Sequence, residues 1–411
     1  MDVGADSSGT SGPLDGLRVI EIGHFVAAPF CARLLGDLGA EVIKIEPMTG
    51  DPVRTWGKAR DGRSAWWSVH GRNKRSVTID LKSAEGRELV LDLVAKSDAL
   101  VENFRPGQLG RMGLNDDLMR ARNPQLVIAH ISGFGQDGPD SGRSGFGAIG
   151  EAIGGLRYLT NHAAGDTDLP PVRVGVSIGD SLAGIYAALG IVSALWARDS
   201  PGGTGQGQPV DVALTEAVLS IMEGVVPEYS VFQAVREPVG ARIPTTAPSS
   251  AYPTRDGKWI IIAANSAPLF DRLCDVIGQP DLPLDNRFRD NPGRVANVDA
   301  LDRIIEEWSV TQDCAEVEAA LNARNIPNSP IYSAADIAAD AQFRARGMLR
   351  SIDDPVLGAV LHPGVVPMMP ESGAGIRWPG REIGEDTGFV LTGLLDRSAA
   401  QVADLKARGI V

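Results

Sequence analysis

The chain has 411 residues, too many for one compact core, and two domains are expected. Hydrophobic residues at 43% and charged residues at 22% describe an ordinary globular protein, but 39 basic side chains against 52 acidic ones leave a net charge of −13. That charge argues against nucleic acid or an anionic membrane as the main partner, so an anionic ligand must be met by local cations and helix N-termini.

Residues 1–13 are polar and Gly/Ser-rich, with no basic stretch followed by an apolar one, and are expected to be a disordered leader. Residues 17–47, LRVIEIGHFVAAPFCARLLGDLGAEVIKIEP, then give a β-α-β unit. RVIEIG is a strand, APFCARLLGDLG a helix with Pro29 in its first turn, and EVIKIE the next strand. The alternation continues with SVTIDL (76–81) as a strand, AEGRELVLDLVAKS as a helix, ALVENF (99–104) as a strand, and LVIAHISGFG (126–135) as a strand entering a glycine loop. Strands alternating with helices predict an α/β fold with a mostly parallel, Rossmann-like sheet.

A long helix is expected to open at Asp180 in RVGVSIGDSLAG and run through IYAALGIVSALWAR, followed by VDVAL as a strand and a helix from Thr215. The Pro/Gly-rich stretch PVGARIPTTAPSSAYPTRDG suits no regular structure. KWIIIAA (258–264) is a strand, and FDRLCDVIG, ALDRIIEEWSV and CAEVEAALNARN are helical. The expected organisation is a large domain over 14–224, a smaller α+β domain over 225–330, and a segment over 331–411 that returns to the first domain. No uninterrupted apolar run reaches about 18 residues, so no membrane span is expected. Cys31, Cys274 and Cys314 form no CxxC pair, which predicts neither a disulfide framework nor a zinc site and suits a cytoplasmic protein. His24, His70, His130, His162 and His362 show no ligand spacing, so no metal is expected.

The opening β-α-β unit admits a nicotinamide-dependent oxidoreductase, with Glu46 as a ribose ligand. Its turn, Gly23-His24-Phe25-Val26-Ala27-Ala28, carries Phe25 where the second fingerprint glycine would let a pyrophosphate approach, and this disfavours the cofactor. Asp180 offers two roles. It can cap its helix, or, held ionised beside a helix N-terminus, it can act as a nucleophile on an acyl carbon.

Several stretches in order, LRVIEIGHFVAAPFCARLLGDLGAEVIKIEP, GRNKRSVTIDLK, LVENFRPGQLGRMGL, HISGFGQDGP, GVSIGD and IGEDTGFVLTGLL, resemble the class III CoA-transferase family of CaiB/BaiF type over about residues 14–411. The resemblance implies a ring-shaped subunit in an interlocked homodimer. It also implies an acyl-CoA:carboxylate CoA-transferase with no permanently bound cofactor, acyl-CoA being a substrate. It assigns Asp180 as the nucleophile that carries mixed-anhydride and aspartyl-CoA intermediates. It places Phe25, Val26 and Ala27, then Ile79 and Lys82, then Asn103, Phe104 and Arg105, and finally Arg111, Ser144, Gly145 and Phe146 along the CoA path.

Two departures narrow the expectation. Where formyl-CoA transferase has Gln, Arg and a Tyr-Glu pair, this chain has Val26, Pro47 and Phe146-Gly147, which disfavours oxalate or formate. Where the family's racemases carry a proton-transferring His, it has Phe146, so α-methylacyl-CoA racemisation by two bases is the disfavoured alternative. The segment from PTTAPSSAYPTRDG onward is similar to members that move CoA between small dicarboxylates, with succinyl-CoA as donor. Glu151, Arg242 and Ser249 are the candidate substrate contacts. An inactive chain partnering a catalytic paralogue is the non-enzymatic alternative, against which the presence of Asp180 argues.

Overall fold

The computed structural model describes residues 12–163 and 165–411, so the expected leader lies almost wholly outside the described residues. The chain divides into two compact units. The first holds the residues up to Arg157, then Val174–Pro227 and Ala341–Val411; the second holds Tyr158–Arg173 and Glu228–Asp340. The short segment 158–173, expected in the large domain, counts with the second unit, where Tyr158 Oη donates to Glu237 Oε2 at 2.5 Å.

The first unit is built on six parallel strands: β1 (Arg18–Ile22), β2 (Glu41–Glu46), β3 (Lys74–Thr78), β4 (Ala99–Glu102), β5 (Val127–Ser132) and β6 (Pro209–Ala213). Their spatial order is β3-β2-β1-β4-β5-β6, with Ile20 beside Ile43 and Leu100, and His130 beside Glu102 and Asp211. The order reverses direction between β1 and β4. In an open parallel sheet that reversal leaves a crevice beyond the carboxyl ends of the two strands.

Both faces of the sheet are apolar, because both are covered. On one face Ile20, Ile22, Ile43, Ile45 and Val77 meet Leu89, Val90 and Leu93 of helix α2 (Ala84–Val94), and Val390, Leu391, Val402 and Leu405 from the end of the chain. On the other, Val19, Val42, Val101 and Ala129 meet helix α1 (Ala27–Asp37) and a long helix, α5 (Ile178–Asp199). Between α2 and α5 lie α3 (Asp116–Arg122) and α4 (Gly147–Ile153), and α6 (Leu214–Leu219) follows β6. Helix α5 is long and apolar enough to cross a membrane by length and composition, although polar residues interrupt its apolar run. Its Ala183, Gly184, Ala187, Ile191 and Leu195 are buried in the second core, as in the core helix of a globular unit.

Strand β3 begins at Lys74, two residues before the expected Ser76, because Lys74 and Arg75 are strand residues with anionic partners. In the second unit, β7 (Ser249–Pro253) falls inside the stretch expected to be irregular. It pairs antiparallel with β8 (Trp259–Ala263), which in turn pairs with β9 (Asn328–Pro330). Backbone pairing, with Tyr252 buried at its centre, outweighs the Ser/Pro composition there. Helices over Ala267–Val276, Val298–Ser309 and Cys314–Ala323 cover this sheet with Phe270, Leu273, Leu301, Ile305, Val317 and Leu321.

Candidate active site

At the crevice between β1 and β4, two loops are tied together. Asn103, just past β4, accepts from His24 N–H through Oδ1 at 2.8 Å and donates Nδ2 to His24 O at 2.8 Å. One side chain thus satisfies both backbone groups of His24, and the post-β1 turn cannot move without the post-β4 turn. Phe25 sits at φ +64°, a left-handed conformation that costs a bulky residue of order 1–3 kcal/mol. Its N–H donates to Asp51 Oδ1 at 3.1 Å, which holds it there.

Beneath this turn lies a buried ionic cluster. Lys44 Nζ reaches Glu21 Oε1 at 2.6 Å, Asp51 Oδ2 at 2.7 Å and Gly23 O at 2.9 Å, and Lys74 Nζ reaches Glu21 Oε2 at 2.7 Å and Pro29 O at 2.6 Å. Arg54 closes it with two bonds to Glu46, at 2.6 and 2.7 Å. Three anions face three cations, all buried or nearly so. Burial works against the charge on Lys44, but Asp51 and Glu21 outweigh it and push its pKa up; Lys74, where burial wins, falls to about 8.

The post-β4 turn has its own support. Phe104 N–H donates to Glu102 Oε2 at 2.6 Å, while Glu102 Oε1 lies 2.5 Å from His130 Nδ1, whose Nε2 is 2.9 Å from Asp116 Oδ2. Burial would lower the His130 pKa, but its hydrogen bonds to Asp116 and Glu102 carry it to about 10. Those carboxylates on α3 and β4 face the imidazole directly; Asp211, its neighbour on β6, is turned to Gln136 N–H. His130 is therefore a charged strut, buried between two acids, and not a base open to substrate. Because its folded pKa lies above the ordinary 6.5, its stabilisation is complete below that pH and is lost as pH rises through about 10. His130→Gln is expected to cost about 2 kcal/mol at pH 6, with the difference from wild type shrinking toward pH 10. Denaturant melts across that range check it, and a pH-independent difference would refute it.

Asp180 was expected at its helix's cap, but α5 starts at Ile178 with Ser177 as N-cap, so Asp180 is the third helical residue, in the first turn. It lies against the start of α4. A methyl placed on Gly147 would collide with Asp180 Oδ2 and stand 2.8 Å from its Cγ. One turn further on, a methyl on Gly150 would lie 2.9 Å from Leu214 Cβ of α6, so α4 is wedged tightly against its neighbours. Gly147→Ala is expected to leave stability nearly unchanged, alanine suiting a first helical turn. It should push the carboxylate aside and lower kcat roughly 100-fold. A variant with wild-type kcat would show that the carboxylate need not occupy that seat.

These pieces surround one cavity of about 240 Å³, lined by His24, Phe25, Ala27, Asn103, Phe104, Arg105, Ser144, Gly145, Phe146 and Asp180, among others. A second cavity of about 420 Å³ is lined by Ile79, Lys82, Met48 and Thr49, and shares His24, Phe104 and Gln108 with the first. Ten expected residues are thus brought to the first cavity or its neighbour along with Asp180 itself. Val26 is buried as the N-cap of α1 and lines neither, and Arg111 is exposed outside both. Glu151 is buried on α4, one turn beyond Gly147, and lines neither. Arg242 and Ser249 belong to the second unit. Arg242 binds Asp302 at 2.7 Å and Asp299 at 2.8 Å, and Ser249 is buried in β7. His24, Gln108 and Arg143 also line the first cavity and had not been singled out, His24 and Arg143 standing in loops and Gln108 opening a one-turn helix, Gln108–Arg111, too short for periodicity to mark. Burial, then the charge of Lys44, lowers the His24 pKa, so the imidazole is neutral at pH 7. The arrangement places the Asp180 carboxylate in one cavity with the cations Arg105 and Arg143, and among the described residues there is no cluster suited to a metal ion.

Comparison with known proteins accords with this geometry. Residues 14–387 match the model of CoA-transferase family III. The chain is 43% identical over 401 residues to the succinyl-CoA–D-citramalate CoA-transferase of Chloroflexus aurantiacus, covering 97% of this chain and 98% of that one. It is 40% identical to the alpha subunit of succinyl-CoA–L-malate CoA-transferase from the same organism, covering 97% and 92%. A CaiB/BaiF family protein from Brucella suis superposes with a TM-score of 0.84 at 33% identity, over 93% of this chain and all of that one. With the crevice, the carboxylate and the match running together along the chain, the protein belongs to CoA-transferase family III.

Proposed function

We propose that the protein is a cytoplasmic enzyme, with no permanently bound cofactor, that moves CoA between small dicarboxylic acids, with succinyl-CoA as a donor and Asp180 as the covalent relay. The observation that carries this is the placement of Asp180 in the same cavity as the two loops matched to the CoA path. The substrates named for its relatives, succinyl-CoA with citramalate or malate, supply the acid class.

Asp180 attacks the thioester carbonyl, the C–S bond breaks, and a mixed anhydride and CoA thiolate result. The thiolate attacks the aspartyl carbonyl, the donor carboxylate leaves, and an aspartyl-CoA thioester remains. The acceptor carboxylate attacks that carbonyl, releasing thiolate and forming a second anhydride, which the thiolate opens at the acceptor's carbonyl to give the new CoA ester and free Asp180. No net proton is taken up, so the site needs no acid–base pair. Ile79, Lys82, Met48 and Thr49 line the space for the nucleotide end, and Phe25, Asn103, Phe104 and Ser144 line the path of the pantetheine arm. In this proposal the active form is a homodimer, which light scattering of the purified chain tests.

The deciding measurement is intact mass after incubation with succinyl-CoA followed by hydroxylamine or borohydride. A modification mapping to Asp180, with CoA appearing on an added dicarboxylate, supports the proposal. No adduct across a panel of acyl-CoAs, together with deuterium uptake at the α-carbon of a branched acyl-CoA, would replace it with racemisation.

A further inference from the structure

We infer that Arg143 is the specificity residue that selects a second carboxylate on the transferred acid, an inference that rests on the role proposed for Asp180. A dicarboxylic substrate presents a problem of charge: its distal carboxylate must enter a cavity that already holds the Asp180 carboxylate, and the two repel unless a cation offsets them. Among the residues lining that cavity the cations are Arg105 and Arg143, since His24 is neutral. Arg105 follows Phe104, a residue that lines both cavities, and so comes from the post-β4 turn beside the wall the two share. Arg143 comes from another wall and precedes Ser144-Gly145-Phe146, the stretch that leads into Gly147 and the seat of Asp180.

The loop that bears Arg143 is braced at its base. Its two ends cross at Gly133 and Gly145, where a methyl on either would stand 2.8 or 2.7 Å from the other's Cα, so the neck is closed by backbone packing that only glycine allows. Gln136 N–H donates to Asp211 Oδ2 at 2.9 Å and Gly135 N–H to Ser132 Oγ at 3.0 Å, pinning the loop to β5 and β6. The guanidinium lies over the Phe134 ring, 4.7 Å from its centroid, and its Nη1 donates to Asp140 Oδ2 at 2.8 Å. The side chain is 55% exposed and Asp140 is half-exposed, so the guanidinium is stacked and paired on one side and open on the other, and its remaining N–H edge suits the planar, bidentate geometry of a carboxylate. A short dicarboxylate, esterified or activated at one end next to Asp180, would place its other end on that edge. A monocarboxylate of equal length would gain nothing there.

The test compares wild type, Arg143→Gln and Arg143→Lys with succinyl-CoA against butyryl-CoA, and with succinate or malate against butyrate as acceptor. In Arg143→Gln the KM values for succinyl-CoA and the dicarboxylate acceptors should rise roughly 10- to 100-fold relative to the monocarboxylate pair. Arg143→Lys should restore part of the difference, and calorimetric affinity for free CoA should stay within about twofold of wild type. Equal losses for succinyl and butyryl substrates, weakened binding of free CoA, or the selective loss appearing instead in Arg105→Gln would overturn the assignment. Wild type that labels Asp180 while Arg143→Gln keeps its dicarboxylate preference refutes this inference alone. Wild type that forms no adduct with any acyl-CoA refutes the transferase proposal beneath it.

Discussion

Replacing Asp180 with asparagine is expected to lower CoA transfer on the order of 10⁴-fold, while the affinity for free CoA stays within about twofold of wild type. The amide matches the carboxylate in shape, so the packing of α5 against the start of α4 survives. The amide nitrogen has no charge to offer a thioester carbonyl, and its acyl exchange would require expelling ammonia. Every covalent step of the proposed cycle makes or breaks a bond to the Asp180 carboxyl group, as nucleophile, acyl carbon or leaving group, so no other group in the cavity can take over part of the rate. Asp180→Ala should behave alike in kinetics but leave a small void beside Gly147, where the native carboxylate sits against the backbone. Stopped-flow transfer from succinyl-CoA, with calorimetry for CoA, checks both variants. A loss of less than tenfold in both would mean that CoA passes from donor to acceptor without a covalent intermediate on Asp180. A parallel collapse of CoA affinity would mean that Asp180 shapes the pocket instead of reacting.

The covered parallel sheet was legible because it is written in runs such as RVIEI, EVIKIE and VIAHIS, in which residues facing either side are apolar. The charges inside those runs were harder to place. Lys44, Glu21 and Lys74 interrupt apolar strands, and periodicity assigns them to a surface, whereas each is buried with an opposite charge. That is why β3 was expected to start after Lys74. Asp180 was found through its motif, but its position in the helix was not, since a cap and a third helical residue differ by one turn of chain that Gly179 leaves ambiguous. The strand at Ser249–Pro253 was hidden by its Ser and Pro content, and only its ladder with Trp259–Ala263 defines it. The cations of the cavity divide in the same way. Arg105 follows a strand in a matched motif, whereas Arg143 stands on an irregular loop whose form depends on contacts from β5 and β6.

Lys44→Met should destabilise the protein by about 3–5 kcal/mol, because it leaves Glu21 and Asp51 charged and buried with one cation fewer between them. The methionine fills the space, so the cost is electrostatic and not a cavity. Pairing it with Glu21→Gln should recover roughly 1–2 kcal/mol of the loss, since residues in one ion cluster are not additive. The consequence reaches the active site, because both ends of the Gly23–Phe25 turn hang from this cluster: Gly23 O accepts from Lys44 Nζ, and Phe25 N–H donates to the same Asp51 that Lys44 neutralises. Without Lys44, Asp51 has reason to turn toward solvent or take up a proton, and Phe25 loses what offsets its left-handed backbone. The folded fraction of Lys44→Met should therefore show a higher KM for acyl-CoA even at temperatures where it is fully native, and the double variant should regain stability without regaining that KM. Chemical denaturation with kinetics on the same samples separates the two effects. Wild-type KM in a destabilised Lys44→Met would mean that the Asn103 clamp alone holds the turn, leaving the ionic cluster a part of the core with no hold on the site.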